Sequence, residues 1–431
     1  MTRREIPLSV PRLSEDIIEN LSECVRTGWV STGGRFIGEF EEAMAKYLCV
    51  EGAVGCQSGT AGLHVALRVM DVTQGDEVIV PTLTFIAAVN PIRYQGAEPV
   101  FMDCDAHFCL DPKKLEMFCA AECDMTERGL INKKTGKRIA AVIVVHVFGD
   151  LADMDNIMRV AEKYRLKVLE DATEALGSYY TEGRYKGRFA GTVGDMGVYS
   201  FNANKIITTG GGGMIVAKDA ADMAEARYLA VTAKNDGLFF IHDDVGYNYR
   251  MLNIQAAFGV SQIRELEAFI GVKRRNYEAY RENISKMGIN GIKLLAYRDG
   301  IRSNHWFYSF EIDAARDGMA EDESVRDRLP QGISAAGEAS RNGTANAVGA
   351  DAGLAEDESA RDRLMRDLIG VGIQCRPVWR LCHKQKPYEK AQSFMIDQAL
   401  RYEKTVLNLP CSTNLSVDDV AYICEAIKRF M

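Results

Sequence analysis

Along this chain, short runs of consecutive apolar residues alternate with stretches in which apolar positions recur every three or four residues. The runs AVGC (53–56), EVIVP (77–81), EPVFMD (98–103), AAVIVVHVF (140–148), KVLED (167–171), MGVYSF (196–201) and GMIVA (213–217) have strand length and turn-like flanks. Between them lie helical patterns such as AGLHVALRVM (61–70) and MDNIMRVAEKY (154–164). Strands that are apolar throughout, separated by helices, predict an α/β fold with a mostly parallel sheet sandwiched by helices. Such sheets bind ligands beyond the carboxyl ends of their strands. The polar motifs fall at those ends: after Cys56, Pro81 and Phe148, at Asp171, and around Lys205.

From residue 254 a long helical pattern, IQAAFGVSQIRELEAFIGVKRRNYEAYRENI, predicts a linking helix into a smaller C-terminal domain. The chain thus divides into a large domain, 1–253, and a small α/β domain, 254–431. Inside the second, residues 314–354 turn to Ala, Gly, Ser, Asn and Asp, and GMAEDESVRDRL (318–329) recurs as GLAEDESARDRL (353–364). Two copies are too few for a solenoid. The stretch reads as a duplication that lengthened a surface loop, without fixed structure.

Charge and composition narrow the partners. A formal net charge of −8 and the lack of a basic run argue against nucleic acid and anionic membranes, and no apolar run is long enough to span a bilayer. Eleven cysteines without a C-x-x-C pair, behind the polar start MTRREIPLSV, read as a reducing cytoplasm and not a disulfide framework. The six histidines are scattered without i+3 or i+4 partners, so no metal site is expected.

The segment YSFNANKIITTGGGGM (199–214) asks for a chemical reason. A nucleotide-triphosphate loop places its lysine after the glycines; here Lys205 precedes them. Glycines behind a lysine allow close backbone approach to a ligand. Flanked by VYSF and IITT, Lys205 is expected in an apolar pocket, where an amine loses its charge readily and becomes a nucleophile for Schiff-base chemistry. Glu170 and Asp171 end a buried strand in VLEDATEALGS. Asp171 there is either an N-cap or the carboxylate that keeps a pyridine nitrogen protonated. In CQSGTAGLHVAL, Gly59 and Thr60 open a helix whose free amides suit a phosphate, although capping alone also explains them. Phe85, in PTLTFIAAVNPI, is either core or a stacking surface for an aromatic cofactor. Singly, each has an ordinary structural explanation. Together, in this chain order, they are the parts of a pyridoxal 5′-phosphate site.

The motifs SGTAGLHVAL, VIVPTLTFIAAVNPI, VHVFGDLADMD, LEDATEALGS, GDMGVYSFNANKIITTGGGGM and GYNYRMLNIQAA make nearly the whole chain resemble the DegT/DnrJ/EryC1/StrS sugar aminotransferases. Within them it is most similar to the nucleotide-sugar 4-aminotransferases of bacillosamine and legionaminic acid synthesis. The resemblance implies a fold-type I pyridoxal-phosphate enzyme, with Lys205 as the Schiff-base lysine and Asp171 as the partner of the ring nitrogen. It places Glu174 near the ring hydroxyl and Phe85 on the ring, with Gly59, Thr60 and Ser200 around the phosphate. It also implies a homodimer with shared sites, in which Asn248 reaches the phosphate of the neighbouring subunit's cofactor. Arg250 and His305 are candidates for the sugar pocket, and L-glutamate and a nucleotide-linked keto-sugar are the implied substrates. Ala203 stands where close relatives have glycine. A sister branch, the dehydratases, has histidine in place of the lysine; a non-catalytic ligand-binding regulator on the same fold is the other alternative.

Overall fold

A computed structural model describes residues 4–313 and 359–431. The expected insert at 314–354 lies outside the described residues. Each predicted strand forms: β1 (Val54–Cys56), β2 (Glu77–Pro81), β3 (Glu98–Met102), β4 (Arg138–Val145), β5 (Lys167–Asp171), β6 (Met196–Ser200) and β7 (Gly213–Ala217). They lie side by side as β1-β7-β6-β5-β4-β2-β3 in one ten-stranded sheet. The strands β6, β5, β4, β2 and β3 are mutually parallel. β7 runs against both of its neighbours. The reason is local: no helix separates β6 from β7, and a parallel return needs a crossover long enough to hold one. The connection 201–212 therefore reverses at the carboxyl edge of the sheet.

The N-terminal helices α1 (Asp16–Thr27) and α2 (Arg35–Leu48) pack beside the long helix α5 (Asn253–Met287). Asn253 joins them, accepting the Phe36 N–H at 3.1 Å and donating to the Trp29 carbonyl at 2.7 Å. Helix α3 (Gly59–Val69) follows β1 and is buried along most of its length. It lies close to the sheet because Gly62 has no side chain; a Cβ there would sit 2.8 Å from Val198 Cγ1. Helix α4 (Met154–Tyr164) buries Met154, Ile157, Val160 and Ala161 at helical spacing, and Asp153 caps it by accepting the Asn156 N–H.

The small domain holds an antiparallel sheet of β8 (Ile292–Leu294), β9 (Tyr308–Ile312), β10 (Arg376–Pro377) and β12 (Val406–Leu409), with α6 (Ala360–Gly370) and α8 (Val417–Phe430). The end of the duplicated segment, from Ser359, is not loop: Ser359 caps α6 by accepting the Asp362 N–H. The division at 253/254 also needs correction in two places. Strand β11 (Gln392–Phe394) leaves the small domain and pairs in parallel with β3, covering an edge whose backbone groups would otherwise be unpaired. Conversely, Ile6 bridges Ile373 and the Cys411 N–H donates to the Leu8 carbonyl, so the first described residues belong with the small domain. All eleven cysteines are free, and Cys49 is the exposed one. Among the described residues no helix is long and apolar enough to cross a membrane.

Asp103, just beyond β3, ties the two domains. It accepts the amides of Asp397, Gln398 and Ala399 at 2.8 Å each, at the start of α7 (Gln398–Thr405), and the Lys114 ammonium at 2.6 Å. Burial alone would raise this carboxyl, but Lys114 and the three amides bring it below its ordinary value. A lowered folded-state value means that the stabilisation is present above the unfolded value and fades as pH falls through the folded one. Asp103→Asn, which keeps the shape and removes the charge, is expected to cost about 2–4 kcal/mol near neutral pH, with the difference shrinking below about pH 4. Urea unfolding at several pH values measures both.

Candidate active site

The end of β5 carries two adjacent acids, and strand alternation sends them to opposite faces. Glu170 is saturated by structure. It accepts the amides of Gly191, Val193 and Gly194 at 2.9, 2.6 and 2.5 Å and lies 2.8 Å from His146 Nε2. The Ala152 N–H donates to His146 Nδ1 at 3.2 Å, which makes Nε2 the N–H that donates to Glu170. Asp171 faces a cavity instead, with the Thr173 N–H donating to its Oδ1 at 3.1 Å. Burial raises its carboxyl above the ordinary value, against the pull of Thr173 and Lys205.

Lys205 projects from the 201–212 connection into the same cavity. Its surroundings are not the apolar pocket expected. Nζ lies 3.6 Å from Glu174 Oε1 on one side and 4.1 Å from the centre of the Trp306 ring on the other. Trp306 is held in turn, its Nε1–H donating to the Asn204 carbonyl at 2.8 Å. Glu174 accepts the Phe148 N–H at 2.9 Å.

The glycines explain how helix, strand and lysine meet. Ser58 caps α3 by accepting the Ala61 N–H at 3.0 Å. A Cβ at Gly59 would lie 3.0 Å from both Ser200 Cβ and Thr173 Cγ2, so the helix start sits directly against Ser200. A Cβ at Gly213 would lie 2.6 Å from the Ser58 carbonyl carbon and 2.8 Å from the Gly59 nitrogen. Gly210 and Gly212 have φ of +77° and +125°, and a side chain at either would strain the reversal. The amides at the head of α3 have no acceptor within the helix, and its dipole favours an anion there.

The cavity measures about 560 Å³, within the range of small-molecule sites. Ser58, Gly59, Thr60, Phe85, Asp171, Glu174, Ser200 and Lys205 line it from the large domain, and Trp306, Arg376, Trp379 and Arg380 close it from the C-terminal part of the chain. Phe85 is 54 % exposed, its ring 6.4 Å from that of Trp379. A buried carboxylate, a neighbouring lysine, a half-exposed aromatic ring and a helix start cleared of side chains suit pyridoxal phosphate. Its phosphate would be held at Gly59, Thr60 and Ser200.

Three expected residues do not line the cavity. Arg250 is engaged elsewhere: its guanidinium pairs with Glu41, which also holds Arg227 and the Gly55 N–H. His305 is caged by Tyr277 and Tyr297, with ring centres 5.1 and 4.5 Å away, and burial lowers its imidazole to about 3. It is neutral and packed, not poised for a sugar. Asn248 is exposed, its backbone bridged to Val231. The sequence reading missed Trp306, Trp379, Arg376 and Arg380. One signal was available: the chain has three tryptophans, and two of them line this cavity.

Burial raises Glu174 to about 7, with Lys205 partly opposing the rise. A raised folded-state value means that the stabilisation is complete below the unfolded value and is lost as pH rises through the folded one. Without cofactor, the protein is expected to lose a few kcal/mol of stability between about pH 4.5 and about pH 7.5 through this group. Glu174→Gln should flatten that slope in a series of melting curves.

Comparison with known proteins agrees with this geometry. The chain is 33 % identical over 427 residues to the GDP-perosamine synthase of Caulobacter vibrioides, covering 99 % of this chain and 98 % of that protein. The aminotransferase TlmJ from Streptoalloteichus hindustanus superposes with a TM-score of 0.79 at 25 % identity, covering 99 % of both chains. DesI, solved in the presence of its TDP-sugar product, superposes with a TM-score of 0.78 at 26 % identity, covering 99 % of this chain and 93 % of that one. The model of the DegT/DnrJ/EryC1/StrS aminotransferase family, whose members depend on pyridoxal phosphate, matches residues 11–337 and 339–428, and the chain belongs to that family.

Proposed function

We propose that the chain transfers the amino group of L-glutamate to C4 of a nucleotide-linked 4-keto-6-deoxy-N-acetylhexosamine. The product would be a UDP- or GDP-linked 4-amino-4,6-dideoxy sugar for surface glycan or nonulosonic acid synthesis. The observation that carries this reading is the convergence of Lys205, Asp171, Glu174 and the start of α3 on one cavity. The likeness to a GDP-perosamine synthase favours a second form of the same reading, a GDP-linked 4-keto sugar without the N-acetyl group. The presence of Lys205 speaks against the dehydratase branch, and the complete set of site residues against a non-catalytic regulator.

Each residue has a task under this reading. Bound pyridoxal phosphate supplies an electron sink for the carbon that loses its proton. Asp171 would keep the ring nitrogen protonated, which its burial strengthens by excluding water. The Lys205 amine would take the proton from the donor's α-carbon and return it on the far side of the transfer. Glu174, close to that amine, would hold a proton beside it. The head of α3 and Ser200 would anchor the phosphate.

The pyridoxal-phosphate-loaded protein is expected to be yellow, and Lys205→Ala to abolish the visible band. Borohydride reduction and peptide mapping should mark Lys205. Turnover of a panel of UDP- and GDP-linked 4-keto sugars with glutamate then reads the substrate. Marking of another lysine, or no turnover across the panel, would sink the assignment.

The shared-site dimer makes a separate prediction. Leu238, Phe239, Phe240 and Val245 are exposed in the stretch leading to Asn248, an apolar surface suited to a second copy. In an isologous dimer each site would draw Lys205 from one chain and Asn248 from its partner. Lys205→Ala and Asn248→Asp chains should each be inactive. Mixed, they should form heterodimers with one intact site and about half of wild-type activity. Heterodimers that form without regaining activity would place Asn248 in its own chain's site.

A further inference from the structure

Lys273, midway along α5, is buried, and burial lowers its ammonium from the ordinary value. Its Nζ donates to the carbonyls of Trp306 at 3.1 Å and Cys411 at 2.6 Å. No carboxylate pairs with it among the described residues. A buried cation without a counter-ion is costly to keep, and salt bridges are the usual remedy. The two carbonyls are therefore the informative feature. One of them belongs to the tryptophan whose face lies 4.1 Å from the Lys205 amine.

Trp306 is gripped at both ends. Lys273 holds its carbonyl, and its Nε1–H donates to the Asn204 carbonyl, which also accepts from Ser9 Oγ at 3.2 Å. Asn204 directly precedes Lys205. An indole face attracts an ammonium by its quadrupole, more strongly where water is excluded, and the Lys205 side chain is only 13 % exposed.

We infer that Trp306 and Lys273 are positioning residues for Lys205: the indole face holds the amine at the cavity wall opposite Glu174, and Lys273 fixes the indole from behind. The inference rests on the reading of Lys205 as the reactive amine, but its test needs neither cofactor nor turnover. If no cofactor adduct ever forms at Lys205, the proposed function fails while the result below still stands.

The test is the rate at which a limiting dose of acetic anhydride acylates Lys205 in the full chain without added cofactor. Peptide mass spectrometry reads it at fixed pH against the exposed Lys286. Trp306→Leu is expected to raise the Lys205 rate by about threefold to tenfold, and Trp306→Phe, which keeps an aromatic face, by no more than about twofold. Lys273→Met, which keeps the aliphatic stem, should raise the rate as Trp306→Leu does. Combining it with Trp306→Leu should add nothing, because both changes release the same contact. Lys114, paired with Asp103 in another part of the fold, should keep its rate throughout, which separates this effect from general loosening. An unchanged Lys205 rate in Trp306→Leu overturns the inference. So does a further rise from Lys273→Met in the Trp306→Leu background, since Lys273 would then act by another route. If Lys273→Met gives no soluble protein, the comparison of Leu with Phe at 306 decides.

Discussion

The site depends on one steric constraint: nothing larger than hydrogen fits at Gly213. A Cβ there would enter the backbone of Ser58 and Gly59. This contact brings the start of β7 against the turn that opens α3. The chain has just left β6 and has no helix with which to cross over, so it must reverse within residues 201–212. Lys205 sits in that reversal and is carried to the head of α3 by the same geometry. The helix start and the lysine are therefore placed by one packing contact between backbones, a stiffer device than two side chains meeting across a cleft.

Electrostatics then separates residues that the sequence places side by side. Glu170 and Asp171 are neighbours of like charge at one strand end, yet their surroundings differ entirely. Glu170 is neutralised in place by three amides and His146. It locks the 190–194 turn to β5 and leaves nothing over for a ligand. Asp171 has far fewer donors and meets the cavity, where low polarity makes any interaction with a cation strong. Glu174 and Lys205 extend this into a small set of titratable groups sharing little water. Proton-transfer chemistry needs such groups to have values near the working pH.

Much of this was legible in the sequence. The strands β2, β5 and β7 and the helix α4 occupy the predicted residues, because an apolar run or a 3.6-residue period records which face is buried. The antiparallel direction of β7 was not legible from its composition, although the missing helix before it carried that information. The small domain's share of the cavity was hidden for another reason. Trp306 and Trp379 lie more than 100 residues beyond Lys205, and periodicity carries no distance between elements. Arg250 and His305 show the opposite failure. Their residue types suit a sugar or a phosphate, but Glu41 and a tyrosine cage had already claimed them, and neither partner is near in sequence.

A single chain leaves the site open on one side. The large-domain wall is fixed by backbone contacts, and the wall from the C-terminal part of the chain is fixed through Trp306 and the anchoring of α7 on Asp103. Phe85 remains more than half exposed between them, and the apolar side chains at 238–240 and 245 face solvent beside Asn248. Exposed aromatic surface is unfavourable in water and is normally covered by a ligand or a partner. For Phe85 the cavity itself supplies the cover, since a ring laid on it would fill the space towards Trp379. For the 238–245 stretch nothing in the same chain does. The two surfaces call for different occupants, a small aromatic molecule and a second protein surface, and a fold that binds both can make the completion of its catalytic site depend on assembly.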